Sequence, residues 1–352
     1  MNDLTDFRNI FNPVLEDLIN QKTSEFLEST NDPFIQDFVL YSKNLITGGK
    51  KIRPYIAYLA YKAYGGTDNV NAIRFFVSFE IFHNFCLIHD DIMDRGTLRH
   101  GFKTIHTYIL EKLKQEGRIG NLEHIGNSQA ILMGDLLFSW SMENIDNTKF
   151  PKENLLQAKN YFYKMVDEVC LGQIIDVDLA TRTSPSNELI EEKTRLKTSR
   201  YTFVRPLEIG ASLARVDYNS EEIFENFGTK LGFAFQVQDD LLDLIGKPEE
   251  THKNILIDIA DSQHTFFTNY IGENGTEEQK EYLSRIFGKE IKPEDQAEIQ
   301  DFFITTGAID AGKKRIEEDI SSAKTIVNTL NITNEYKQKF LNLIALIENR
   351  KN

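Results

Sequence analysis

The sequence predicts an all-α protein on three observations. Apolar residues recur at spacings of three and four through most of its 352 residues, only 8 residues are proline, and no low-complexity tract or linker breaks the pattern. With 41% hydrophobic residues the chain can bury a substantial core, and residues 1–352 are expected to form one single-domain helical bundle.

Taken in order, residues 5–45 read as two amphipathic helices broken near Asn31-Asp32-Pro33. Pro33 suits a helix start, because its missing N–H is one a first turn leaves unbonded anyway. The turn Thr47-Gly48-Gly49-Lys50-Lys51-Ile52-Arg53-Pro54 combines two glycines, which permit amide-exposing backbone, with three cations. A helix from Pro54 to about Tyr64 stops at Gly65-Gly66, and a longer one covers 69–94. Residues 108–127 read as a polar surface excursion. Ser128–Ile145 is apolar and contains Trp140. It also contains Gly134, expected at a close helix approach, and Asp135, either a buried hydrogen-bonding partner or a group supporting the site. Asn154–Leu179 puts Gln173 and Asp176 on one face. A helix from Asn187 carries Lys197, Thr198 and Tyr201 until Pro206 interrupts it. Glu221–Leu244 follows, then a polar, irregular stretch over 246–262, and amphipathic helices to the end that read as scaffold.

Two of these helices carry the chemistry. Asp90, Asp91 and Asp94 lie within five residues at the end of an apolar segment, and Asp90 and Asp94, at i and i+4, share a helix face. Like charges so placed repel unless a cation sits between them, and a purely oxygen donor set suggests Mg2+ sharing its shell with a phosphate. His83, Leu87, Asp90 and Asp94 form one stripe, which raises His83 above an ordinary core histidine. Arg95, Arg99 and His100 follow, a cationic patch suited to phosphate oxygens. The pattern returns in Phe235-Gln236-Val237-Gln238-Asp239-Asp240-Leu241-Leu242-Asp243. Carboxylates on apolar ground are odd for a solvated face and natural for a cleft, and two such helices would clamp a diphosphate through bridging metal ions. Gly228 and Gly232, in line with Gln236, Asp239 and Asp243, are expected to leave room for a long substrate.

The net charge of −14 argues against unaided binding of nucleic acid or anionic membrane, and makes metal bridges the route to an anionic substrate. Cys86 and Cys170 sit in apolar helical contexts and are expected as reduced, core-packed thiols. The first residues show no basic region followed by an apolar run, and no segment approaches the roughly 20 apolar residues of a membrane span. A cytoplasmic setting is expected.

Together these residues resemble the trans-isoprenyl diphosphate synthases, the polyprenyl synthetase family. The resemblance rests on the 48–54 turn, Asp90–Asp94 with Leu98–Gly101, Gly134-Asp135, Gly172-Gln173 with Asp176, Lys197-Thr198 and Phe235–Asp243, in the family's order. It implies an all-α bundle of the isoprenoid synthase type around a deep central cavity, as a homodimer, joining an allylic diphosphate to isopentenyl diphosphate. By the same resemblance Asp90, Asp94 and Asp239 would hold three Mg2+ ions, with Asp91, Asp240 and Asp243 as further or outer-shell ligands. Arg99, Lys197 and Lys253 would grip the allylic diphosphate, and Lys50, Arg53, His83 and His100 the isopentenyl diphosphate. Lys197, Thr198 and Gln236 would direct oxygens at the carbocation.

Two positions depart from the family's pattern. His100 stands where an arginine is usual, which implies a raised requirement for isopentenyl diphosphate, and Gln263 stands where a lysine is common. Product length is expected to depend on the residues below Asp90. Cys86 lies one turn beneath it and Phe82 about another, while Phe85 points about 140° away. A small Cys86 beside a bulky Phe85 resembles the geranylgeranyl (C20) makers more than the farnesyl (C15) ones. The alternatives are a non-catalytic or regulatory prenyl-diphosphate-binding subunit, a terpene cyclase and a head-to-head synthase. The second Asp-Asp-x-x-Asp disfavours the cyclase, and the 48–54 turn disfavours both the cyclase and the head-to-head enzyme.

Overall fold

In the computed structural model, which describes residues 3–99, 101–215, 220–246 and 255–349, the described elements are helices apart from one two-residue-stranded hairpin. The chain forms two compact units, Met1–Leu156 with Leu213–Arg215 and Gln157–Ser212 with Val216–Asn352.

The first unit contains α1 (Asp3–Glu28), α2 (Pro33–Ile46), α3 (Ile52–Ala63), α4 (Asn69–Met93), the strands β1 (Leu98–Arg99) and β2 (Phe102–Lys103), α5 (Ile105–Gln115) and α6 (Leu122–Asp146). Helix starts follow local chemistry: the Asp32 carboxylate accepts the Ile35 N–H at the head of α2, and Asp68 accepts that of Asn71 at the head of α4. Residues 72–82 of α4, apart from Arg74, are buried on every side, as expected of a central helix that is apolar all round. α6 packs along α4, and Gly134 makes the expected close approach: a Cβ there would stand 2.4 Å from His89 Nε2.

Residues 108–127 hold the body of α5, an exposed turn over 116–121 and the start of α6, while Ile105, Ile109 and Leu113 of α5 recur every four residues and are buried. Two expectations change. Asp135 is exposed, with His89 Nε2 3.8 Å away, and is not a buried partner. Neither thiol is core-packed: Cys86 is half-buried, and Cys170 lies on the exposed α7 stripe that also bears Ile174 and Val177.

The second unit holds most of α7 (Lys152–Leu179), α8 (Asn187–Thr194), a π-helical segment (Arg195–Val204), α9 (Arg205–Ala214), α10 (Glu221–Ile245), α11 (Ile257–Ala260), α12 (Phe266–Asn274), α13 (Glu277–Ile286), α14 (Gln296–Thr305), α15 (Ala308–Thr329) and α16 (Asn334–Glu348). α10 packs on α15 and on the π-helical segment, and its C-terminal end stands on a core of Leu244, Leu256, Ile259, Phe267, Ile271 and Phe303. Pro206 does not end a helix here. It follows closely on the π-helical segment, whose wide turn, with the Arg205 N–H bonded to Arg200 O, runs without a break into α9. Among the described residues no helix is long and apolar enough to cross a membrane.

Candidate active site

In the first unit the acidic stripe ends at a turn that bends the chain back on itself. Arg95 takes a left-handed conformation (φ 54°), its N–H bonds to Ile92 O, and that of Gly96 bonds to Asp91 O at 2.9 Å. This pair of bonds closes the last carbonyls of α4 and redirects the chain into β1. Arg99 thereby returns to the helix end. Its Nη2 and Nε lie 2.5 and 2.7 Å from Asp91 Oδ1, and Nη2 lies 3.9 Å from Asp90 Oδ2. Asp91 is buried; burial pushes its carboxyl up, and Arg99 only partly offsets this. Asp90 is half-buried and Asp94 exposed, so the outer two carboxylates are the accessible ones.

The glycine-rich turn is pinned from two sides. Arg8 donates twice to Lys50 O, at 3.0 and 2.7 Å, and Lys51, only 2% exposed and left-handed at φ 61°, meets Glu80 of α4 at 3.0 Å and also donates to Gly48 O. Lys51 is therefore a structural cation, while Lys50 is exposed and Arg53 and His83 are half-buried. Below Asp90 on α4, Phe82 is fully buried, and Phe85 packs on Phe82 and on Phe138 of α6, both at 5.4 Å.

In the second unit the π-helical segment is held between α7 and α10. A π turn brings residues five apart to one face, and Arg200 and Arg205 both bind Glu168 of α7, at 2.8 and 2.6 Å. Glycines admit the segment: a Cβ on Gly172 would stand 2.7 Å from Lys197 N, one on Gly228 2.5 Å from Val204 Cγ2, and one on Gly232 2.4 Å from Ser199 Cα. The space at Gly228 and Gly232 is thus filled by backbone, not left for a substrate.

This packing aims Lys197 at Asp176, 2.6 Å away, and Thr198 at α10, where its hydroxyl donates to Gln236 Oε1 at 2.7 Å. Gln236 Nε2 in turn donates to Asp240 at 2.8 Å. Asp240 is buried like Asp91, and burial pushes its carboxyl up against the pull of Gln236 and Lys193. Asp243 accepts the N–H groups of Ile257 and Asp258 at 3.0 and 3.1 Å and so holds α11 in place. Asp258 joins the cluster, its carboxyl raised by burial and by the charges of Asp240 and Asp243. Glu80, Lys193, Asp258 and Phe138 were missed in the sequence. The signal for Glu80 and Lys193 was spacing, three residues before His83 and four before Lys197. His100 and Lys253 lie outside the described residues.

The family model of the polyprenyl synthetases matches residues 37–304. The chain belongs to the polyprenyl synthetase family. This synthetase is 31% identical over 313 residues to a geranylgeranyl pyrophosphate synthase of Geoglobus acetivorans, covering 87% of this chain and 88% of that one. It is 31% identical over 278 residues to a geranylfarnesyl diphosphate synthase of Natronomonas pharaonis, covering 74% and 75%. Its fold is similar to that of a Corynebacterium glutamicum geranylgeranyl pyrophosphate synthase, solved with isoprenyl diphosphate and magnesium, with a TM-score of 0.89, 28% identity and 97% and 98% of the two chains covered.

The synthetase's donors fit a magnesium ion. They are carboxylate oxygens alone, and among the described residues no three His, Cys, Asp or Glu side chains close into a cage. An ion held by Asp90 and Asp94 would take the rest of its shell from water and phosphate, the way Mg2+ prefers to be bound.

Proposed function

We propose that this polyprenyl synthetase condenses isopentenyl diphosphate head-to-tail with allylic diphosphates to a linear all-trans prenyl diphosphate of C20 length. The observation that carries the reading is the pair of matched acidic motifs, each with its middle aspartate buried and bonded and its outer ones arranged along a helix end. Asp90, Asp94 and Asp239 would hold Mg2+, three ions in all, and the metal would supply the positive charge that a diphosphate leaving the allylic carbon requires. Asp91, Asp240 and Asp243 shape those sites from behind.

The protein's own groups do the rest. Lys197, Arg99 and Lys253 hold the allylic diphosphate, and Lys50, Arg53, His83 and His100 hold isopentenyl diphosphate. Bonds fix the orientation of Gln236, with Oε1 toward Thr198 and Nε2 toward Asp240. The Thr198 hydroxyl, donating its proton to Gln236, turns its lone pairs outward, where they stabilise the allylic cation until the isopentenyl double bond attacks it. Loss of a proton to the released diphosphate completes the new double bond, so no protein base is required.

The relatives' names include both geranylgeranyl and geranylfarnesyl synthases at the same identity, so the C20 assignment rests on Phe85 and Cys86. A homodimer in a reducing cytoplasm completes the reading. The test is incubation with labelled isopentenyl diphosphate, Mg2+ and each of the C5, C10 and C15 allylic diphosphates, with chromatography of the dephosphorylated products. One main C20 product supports the proposal. A folded protein that extends nothing alone, but gains a rate with a second chain, would make it a subunit instead.

A further inference from the structure

Asp176 of α7 is 7% exposed and faces two ammonium groups: Lys197 Nζ donates to Oδ2 at 2.6 Å, and Lys193 Nζ lies 3.1 Å from Oδ1 as an ion pair that is not aligned as a hydrogen bond. The two lysines are one turn apart across the junction of α8 and the π-helical segment. They are not equivalent. Lys193 also donates to the carbonyl of His264 at 3.0 Å, and its side chain is 13% exposed against 29% for Lys197. Lys193 is the more enclosed of the two, and Lys197 is the more open to a ligand.

Two cations on one carboxylate matter because a buried charge stripped of its last partner is costly. If Lys197 were the sole partner of Asp176, moving it onto a substrate phosphate would strand the carboxylate, and the substrate would have to supply that energy. With Lys193 in place, Asp176 stays paired.

We propose that Lys193 is a positioning residue that releases Lys197 to the substrate diphosphate by holding Asp176 in its stead. The proposal rests on the reading of Lys197 as a diphosphate ligand. The neighbourhood supports it. Gln263, where the family commonly has a lysine, brings no cation to this end of α10, and Lys193 instead seats its charge on the carbonyl of the next residue, His264. Lys193 also lines, with Gln236, Asp240 and His264, a cavity of about 230 Å³ beside the second acidic motif.

The test is calorimetric titration of the full chain with inorganic diphosphate in the presence of Mg2+. Lys193→Met is expected to bind ~10-fold more weakly, Lys193→Arg to bind like the parent, and Lys193→Met combined with Asp176→Asn to regain parental affinity, since the carboxylate charge that competes with diphosphate for Lys197 is then gone. A structural role for Lys193 would not be rescued by removing Asp176. Parental affinity in Lys193→Met, or a double variant as weak as the single one, would overturn the proposal. Thermal melts establish that each variant is folded, and Lys193→Gln carries the test if the methionine variant is not. Failure of the parent itself to bind diphosphate would overturn the reading of the site, and this inference with it.

Discussion

Arg99 reaches one oxygen of Asp91 with two nitrogens, Nη2 at 2.5 Å and Nε at 2.7 Å, and so ties the strand after α4 to the end of that helix. Arg99→Ala leaves a buried carboxylate without its counter-charge. A fully buried pair costs about 3–5 kcal/mol to break in this way. Because Arg99 is 29% exposed, solvent screening reduces the expected loss to roughly 2 kcal/mol. Arg99→Lys should recover part of it, since an ammonium supplies a charge but no second nitrogen in a fixed plane. Urea unfolding checks both variants, and an unchanged midpoint for Arg99→Ala would show that Asp91 is held by something else.

Gly232 and Gly272 are both helical glycines with opposite surroundings. A Cβ on Gly232 would stand 2.4 Å from Ser199 Cα, beside Thr198, whereas one on Gly272 would meet nothing within 4 Å. Gly232→Ala must push the π-helical segment away from α10, which strains the 2.7 Å bond from Thr198 to Gln236. A loss of ~1–3 kcal/mol is expected, together with a lower kcat. Gly272→Ala should instead stabilise by about 0.5–1 kcal/mol and leave the rate alone. Thermal melts with steady-state rates separate the two outcomes.

The parts of this molecule legible in the sequence are those set by neighbours along the chain. Asp90 and Asp94 share a face because four residues make about a turn, and Pro33 and Asp32 announce a helix start before any fold is known. The π-helical segment was not legible. Its widened turn is imposed by Glu168, which lies 32 residues before Arg200 and reaches both arginines, and no local periodicity records such a contact. The division of labour among the aspartates was hidden in part: Arg99 returns to Asp91 through a turn that spacing does not foretell, whereas Gln236 and Asp240, four residues apart on one helix face, were within reach of the sequence. Gly228 and Gly232 were expected to leave room for substrate, and the π-helical segment takes that space instead, because a missing Cβ does not say what comes near.

His264 supplies a pH dependence. Burial holds its imidazole below the ordinary value of 6.5, with the Lys193 charge adding to the effect and the bond from Nε2 to Arg182 O, 2.8 Å long, opposing it. The unfolded chain therefore takes up a proton before the folded one does. Stability is fully present above pH 6.5 and is lost as pH falls from there through the folded value, at up to ~1.4 kcal/mol per pH unit. His106, also depressed by burial, adds to the same slope. Denaturant unfolding of parent and His264→Asn across this window should show a shallower slope in the variant, and parallel curves would remove His264 from the account.

Phe85 lies between Phe82 and Phe138, 5.4 Å from each, with His89 at 4.6 Å. The cluster joins α4 to α6, so the expected floor beneath Asp90 includes a residue that the positions before the first aspartate do not reveal. Phe82 is fully buried, and Phe82→Ala should cost about 3–5 kcal/mol, which makes it a poor probe of length. Phe85 and Phe138 are half-buried and can be shortened at less cost. Phe85→Ala should shift the main product upward by at least one C5 unit, and Phe138→Ala should do the same by opening the opposite wall. Chromatography of products made from the C15 allylic diphosphate decides between them. Lengthening in both variants places the floor on the ring pair, lengthening in Phe138→Ala alone moves it to α6, and unchanged products in both put the stop elsewhere.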